Sequence, residues 1–524
     1  MVSSVASLLV LVLASGGQGW HELRTAHFTL RTDLEPDAAI HAAVEIERTR
    51  AALLAAMWPS VKDVGVETVD VVVLADGMEF ERYAGRASNG LYSHLALPPR
   101  IVLWGAPERW EVRVGGPRWQ EVPAGNRNSS SEVLRYEFNA HLPVVRAGSS
   151  SPLRHELAHH IAAAVYGRQP LWFSEGQAQF LESLKLSEDG RSATVGLINP
   201  IAWQQFVRIR TISVADVLDW QTLGLRLPRV ESLGLYGGSW QLFQWLFTTR
   251  PEGLRCYQER LAAAEEPRRA WADCLPDIVA ADLDRILWEF ARRGTPRLVQ
   301  VSIQPVGVEA DIRPLTAAEV HLVHAQLALA GGTAAQNAEL LAEARTEVEE
   351  ALAADPACVG ALRLQAPNLP PPARVEAGRR AVAAHPEDGW AWLLLADALW
   401  DASGAASERD QAYRQAVRLL PESPLPLARA ARNLLSLHET AVALAWSEHA
   451  ARLAPWNGEV LAVHALALGA AGRCAEARSV EAQAHKALPG RPGMVWEALE
   501  SGLKRACPGR SEADARGAST DSEL

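Results

Sequence analysis

Two histidines stand four residues apart in His155-Glu156-Leu157-Ala158-His159. On a helix that spacing puts both imidazoles on one face. Both can then hold a single ion at about 2.0–2.1 Å. Glu156 follows the first histidine and projects beside that face. There it can take a proton from water without ligating the metal, the arrangement of zinc-dependent hydrolysis. Leu153, Leu157 and Ile161 also recur every four residues. They form a second stripe, roughly opposite, for a core to cover. Ser151 and Pro152 are a helix start, and Gly167 with Pro170 is a stop.

A catalytic zinc needs a third protein ligand and one open position. Downstream runs Leu171-Trp172-Phe173-Ser174-Glu175-Gly176-Gln177-Ala178-Gln179-Phe180. Together the two segments resemble the gluzincin metallopeptidases, specifically the peptidase-MA-like group, in which HExxH is followed by Trp-x-x-Glu-Gly-x-Ala. Trp172, Glu175, Gly176 and Ala178 match. The resemblance implies a zincin-like α+β fold, with His155, His159 and Glu175 as ligands of one Zn2+ per chain. It further implies Glu156 as general base and a peptide or protein as substrate. Gly176 would let the two helices pack closely at the metal. Tyr236, in Leu235-Tyr236-Gly237-Gly238-Ser239-Trp240, resembles the group's tyrosine segment, whose phenol could donate to a tetrahedral oxyanion. A packed core tyrosine is the competing reading.

One position departs from the pattern. Gln179 stands where the family often has an acidic residue that orients a ligand histidine. Glutamine can accept that bond but brings no charge. Glu182, seven residues after Glu175 on a similar face, is the fallback third ligand. His160 points about 100° around the helix from His159 and reads as a non-ligand. Arg154, His94 and His141 read as surface or structural residues.

These side chains need elements to hold them. Residues 1–18 read as a signal peptide: a short apolar run from Val5 to Ala14, then small residues, though no basic side chain precedes it. Residues 19–150 read as the α+β part. Strands are expected at Phe28–Thr32, Thr68–Leu74 and Ile101–Trp104, with a helix from Ala38 to Met57. The Ile101–Trp104 strand is a candidate edge for aligning an extended substrate. Residues 115–131 read as a loop. Residues 151–300 read as helical and zinc-binding, with a second helix from about Ser174 to Leu186.

Residues 315–490 repeat. Pro356, Pro386, Pro421, Pro455 and Pro489 are 30, 35, 34 and 34 apart, and each has an alanine five positions earlier: Ala351, Ala381, Ala416, Ala450 and Ala484. This resembles tetratricopeptide repeats: four to five paired-helix units with small alanines at the contacts and a proline ending each second helix. Pro370-Pro371-Pro372 marks a shortened unit. Such a solenoid offers a groove to a protein partner. Residues 508–524 read as a disordered tail.

The chain has 524 residues, 48% apolar and 22% charged, with a net charge of -11. That balance argues against a nucleic-acid binder, and no segment is long and apolar enough for an integral membrane domain. If the protein is exported, to periplasm or exterior, Cys256–Cys274 and Cys474–Cys507 are plausible bridges. Otherwise it is cytoplasmic, with all five cysteines reduced. Asn128 fits a glycosylation pattern of little weight. Two alternatives to a peptidase stay open: a weak or inactive pseudo-peptidase serving as a repeat scaffold, and a zinc hydrolase for a non-peptide amide or ester.

Overall fold

The computed structural model describes residues 19–61, 69–85, 90–93, 99–114, 148–166, 169–209, 212–220, 229–304, 311–487 and 501–507. The 1–18 leader, residues 115–131, His94, Asn128, His141, Gly167, Pro489 and the 508–524 tail lie outside the described residues.

Strands β1 (His21–Arg24) and β2 (Phe28–Thr32) pair antiparallel. Helix α1 (Pro36–Met57) then crosses to β3 (Val69–Leu74), which lies parallel to β2. Helix α2 (Gly77–Ala84) starts on Asp76, whose carboxylate accepts the Met78 N–H. Next come β4 (Leu91–Ser93) and β5 (Arg100–Trp104), paired antiparallel, with β5 parallel to β3. A short ribbon, β6 (Val112–Val114) and β7 (Gly148–Ser150), leads into α3 (Pro152–Val165) and α4 (Leu171–Glu182). Then follow β8 (Lys185–Leu186), β9 (Ser192–Val195), α5 (Pro200–Arg208), α6 (Val214–Leu218) and α7 (Arg229–Thr249). Helices Pro251–Ala262, Pro267–Cys274 and Ala280–Arg293 precede β10 (Val299–Ser302) and β11 (Asp311–Pro314).

The main sheet runs β11-β1-β2-β3-β5-β4. Strand β3 at its centre is buried on both faces, which is why it reads as a β-branched run, broken only by Asp70, rather than an alternating one. Val69, Val71 and Val73 join the core with Ile46 and Leu53 of α1 and Leu157 and Ile161 of α3. Val72 and Leu74 face the other way, onto Val323, Leu327 and Leu340. Those three belong to the first pair of repeat helices, Ala317–Ala335 and Ala338–Ala354. The same junction holds a buried ion network. Asp70 accepts from Arg31 at 2.5 Å and Arg100 at 2.6 Å, and Arg100 also donates to Gln326 at 2.6 Å.

The structure corrects several expectations. The Arg100–Trp104 strand is not an edge, because β3 and β4 flank it; among the described residues β4 is the last strand. The sheet also draws β11 from beyond the 19–150 segment, where it pairs with β1. Helix α4 begins at Leu171 and stops at Glu182, because Leu184 turns back onto the Leu181 carbonyl and β8 follows. The 151–300 stretch is not all helical. Its strands β8 and β9 are too short to declare a period, and β9 completes its ladder with the distant β10.

From 317 to 487 five helical hairpins follow one another. Ala351, Ala381, Ala416, Ala450 and Ala484 are all fully buried. In the first four hairpins the chain leaves the second helix the same way. The residue before the proline donates its N–H to that alanine's carbonyl (Asp355, His385, Leu420 and Ala454), and the proline ends the helix. The second hairpin is the short one: helix Val359–Gln365 gives way to a 3-10 turn before Pro370. The stack is a tetratricopeptide-like helical repeat. Cys256–Cys274 and Cys474–Cys507 are bridged, and Cys358 is reduced and buried. The second bridge ties residues 501–506 to the last hairpin. Among the described residues no helix is long and apolar enough to cross a membrane.

Candidate metal centre

Helix α3 turns its Leu153, Leu157 and Ile161 stripe into the core, where all three are essentially inaccessible. His155 and His159 are left on the other side, half-buried and facing α4. The two helices run antiparallel there: His159 meets the start of α4 and His155 its end. Nδ1 of His159 lies 3.1 Å from Ser174 Oγ, and Nδ1 of His155 lies 2.5 Å from Glu182 Oε1. In the neutral ring a carboxylate at Nδ1 keeps the proton on that nitrogen and leaves Nε2 with the lone pair a metal would need. The two Nε2 atoms stand 3.0 Å apart, and Glu175 Oε2 is 3.5 Å from each.

This triangle tests whether an ion fits. Three ligands at about 2.0–2.1 Å in tetrahedral array sit about 3.3 Å from one another. Two imidazole nitrogens and one carboxylate oxygen are also a donor set that suits zinc. Glu175 Oε2 is buried and makes no hydrogen bond among the described residues. Such an atom is costly unless a cation meets it. His155, His159 and Glu175 are the one group of three or more metal-ligand side chains brought together among the described residues.

The electrostatics agree. Burial lowers the His155 imidazolium, but the charges of Glu182 and Glu175 outweigh it and leave the ring well above its ordinary value. Burial pushes Glu175 up, yet His159 and His155 hold it well below the usual carboxylate range. The carboxylates that raise His155 would also favour a bound cation. Burial raises Glu156, with the nearby histidines opposing.

Glu156 is almost fully buried, against Gly90 at the entry to β4. A Cβ at Gly90 would lie 3.0 Å from Glu156 Cγ and Oε1. Glycine there leaves room for the carboxylate, a contact no local spacing announces. Tyr236 stands on α7, edge-on to Trp220 at 4.8 Å. Its phenol is raised by burial and by the charges of Glu175 and Glu156, so it lies within electrostatic reach of the cluster. His160 turns away: it is buried, 3.5 Å from the Tyr92 hydroxyl, and burial with Arg50 lowers it to about 4. Of its two expected readings, Arg154 takes the structural one: it is buried. It donates to the Glu182 carbonyl at 2.9 Å and pairs with Glu111.

Three other residues play parts that local spacing does not announce. Gly176 gives close approach, but to α7 rather than to α3. A Cβ there would meet the Ser239 carbonyl oxygen at 2.5 Å. Trp172 anchors α4 elsewhere, stacking on Tyr257 and meeting Trp271 edge-on, beside the Cys256–Cys274 bridge. Gln179 does not reach a histidine. Its Nε2 is buried without a partner among the described residues, and its backbone carbonyl accepts from Asn199. Glu182 occupies the histidine-facing place instead.

Residues 149–267 match a family model described as a protein of unknown function, DUF1570. The match begins within the ribbon strand β7 and takes in helices α3, α4 and α7. No curated protein matches the chain. Among solved structures, two of MamA align at 16% identity (TM-score 0.25, 34% of this chain and 98% of that one) and at 18% (0.24, 30% and 93%). A third, titled as a functional characterization of Pseudomonas aeruginosa pilF, aligns at 20% identity (0.28, 39% and 99%).

Proposed function

We propose that the chain is a zinc-dependent hydrolase, a peptidase in the first instance, whose helical repeats bind protein. The observation that carries this reading is the buried, donor-less Glu175 Oε2 equidistant from two imidazole Nε2 atoms. Zinc bound by His155, His159 and Glu175 would supply Lewis acidity, polarising a carbonyl and making water acidic enough to deprotonate near neutrality. Glu156, desolvated beside the cluster, accepts the water proton and returns it to the leaving amine. Tyr236, within electrostatic reach of the cluster, would donate to the developing oxyanion. The edge strand β4, entered from the Gly90 that touches Glu156, can align an extended peptide by adding a strand. That favours a peptide over a small amide or ester. Two disulfides favour an oxidising compartment, hence export.

The runner-up is a pseudo-peptidase scaffold, favoured by the repeat stack alone. Cleavage of a broad peptide library by wild type beside Glu156→Gln separates the two. The expected result is activity in wild type, and a variant that keeps one zinc per chain but cleaves nothing. Two zinc-loaded proteins that both fail to cleave would favour the scaffold. A zinc-free, folded wild type would remove the metal centre itself.

A further inference from the structure

We infer that Glu182, not Gln179, is the positioning carboxylate of the metal centre, an inference that rests on the zinc reading above. Both Glu182 oxygens are committed. Oε1 faces His155 Nδ1 at 2.5 Å, on the far side of the ring from the Nε2 that faces Glu175. Oε2 accepts from Ser150 Oγ at 2.5 Å and from Asn199 Nδ2 at 2.8 Å. A carboxylate so engaged is turned to the far side of the His155 ring and lies outside the His155, His159 and Glu175 group, so Glu182 is not the reserve ligand its place on the helix suggests.

Its supports come from three directions. Ser150 ends β7, Asn199 caps α5 through the Ile201 and Ala202 N–H groups, and Arg154 of α3 holds the Glu182 backbone carbonyl. All three are buried. A carboxylate fixed this way restrains ring rotation, keeps the Nδ1–H tautomer and makes Nε2 a better donor. Position 179 lies one turn past Glu175 and position 182 lies two. Because α3 and α4 cross antiparallel, the second turn is the one that meets His155. The glutamine is therefore a displaced feature rather than a mark of lost activity.

The test uses the full chain as wild type, His155→Ala, Glu182→Gln, Glu182→Ala and Gln179→Ala. Zinc affinity is read by competition with a chromophoric chelator, and ligand geometry by the visible spectrum of the Co2+-loaded protein. Glu182→Ala should bind zinc about 10–100-fold more weakly, Glu182→Gln less so because it keeps an acceptor, and Gln179→Ala within about threefold of wild type. The Co2+ bands should shift in both Glu182 variants and stay in place in Gln179→Ala, a readout that a merely structural role would not move. If Glu182→Ala does not fold, the affinity and spectrum of Glu182→Gln decide the question. Glu182 variants with wild-type affinity and spectrum, while His155→Ala loses the metal, would overturn the positioning role and leave the zinc reading intact. A wild type that takes up no zinc would overturn both.

Discussion

Gly176→Val should both destabilise the protein and loosen the metal centre. The residue follows the proposed ligand Glu175 directly, on a helix pressed against α7. A Cβ there falls 2.5 Å from the Ser239 carbonyl oxygen, 2.9 Å from its carbon and 3.3 Å from Phe243 Cβ. Two of these three atoms are backbone in the middle of a long helix, so no flexible side-chain end can swing aside. Restoring ordinary contact requires α4 and α7 to part by roughly 0.5–1 Å, a shift of the scale that overpacked cores resist at about 1–3 kcal/mol. For Gly176→Ala, the gain in helix propensity, about 1 kcal/mol, offsets much of that. The net loss should be about 0–2 kcal/mol. Valine adds two methyl groups and loses most of the propensity gain, so about 3 kcal/mol is expected. The same movement carries Glu175 by about 0.5 Å, the tolerance within which a site must be held. The assay is urea unfolding followed by tryptophan fluorescence, with zinc affinity from chelator competition on the same samples. A Gly176→Val protein with wild-type midpoint and wild-type affinity would refute the close approach.

Asp70→Asn should cost on the order of 3 kcal/mol at neutral pH, since it strips the buried charge between one buried guanidinium, Arg100, and one half-buried, Arg31. Burial alone would raise Asp70, but Arg31 and Arg100 outweigh it and hold it below the ordinary range. Its stabilisation is thus full above the unfolded value of about 4 and is lost as pH falls through the lower folded one. The gap in urea midpoint between wild type and variant should therefore narrow under acid. Leu327→Ala, in the first repeat helix, should cost about 2–5 kcal/mol. Limited proteolysis should then open the sheet unit as well as the repeats, because Leu327 packs on Val72 and Val102. Reducing Cys474–Cys507, which closes 33 residues, should remove about 4 kcal/mol from the last hairpin by loop entropy. Hydrogen exchange should rise there while the metal-site helices stay protected.

Local spacing carries what is legible in the sequence. HExxH and the Glu175 segment each lie within one or two helical turns, and the repeat alanines and prolines recur at one period. The strands Phe28–Thr32 and Val69–Leu74 are legible from β-branched runs. Features made by distant partners are not. The edge strand β4 has three residues and no pattern of its own. The ladder of β9 needs β10, far later in the chain. Which turn of α4 faces His155 depends on the crossing direction of two helices, so spacing alone points to Gln179 where the structure uses Glu182. Gly176 is legible as a close-approach glycine, but its neighbour, Ser239, lies on a helix whose docking no spacing encodes.

The first repeat hairpin is shared property. Val323, Leu327 and Leu340 cover the sheet face opposite the metal helices, and Gly331 sits so close that a Cβ would lie 2.3 Å from the Tyr83 carbonyl oxygen. A boundary drawn at residue 315, where the sequence pattern changes, would cut through a core rather than a linker. The smallest autonomous piece carrying the metal cluster must run on to residue 354, the end of that hairpin. The later hairpins form their own clusters, apart from the sheet. On the proposed reading, the far end of the repeat is thereby uncoupled from the chemistry, while the joint between repeat and sheet is fixed.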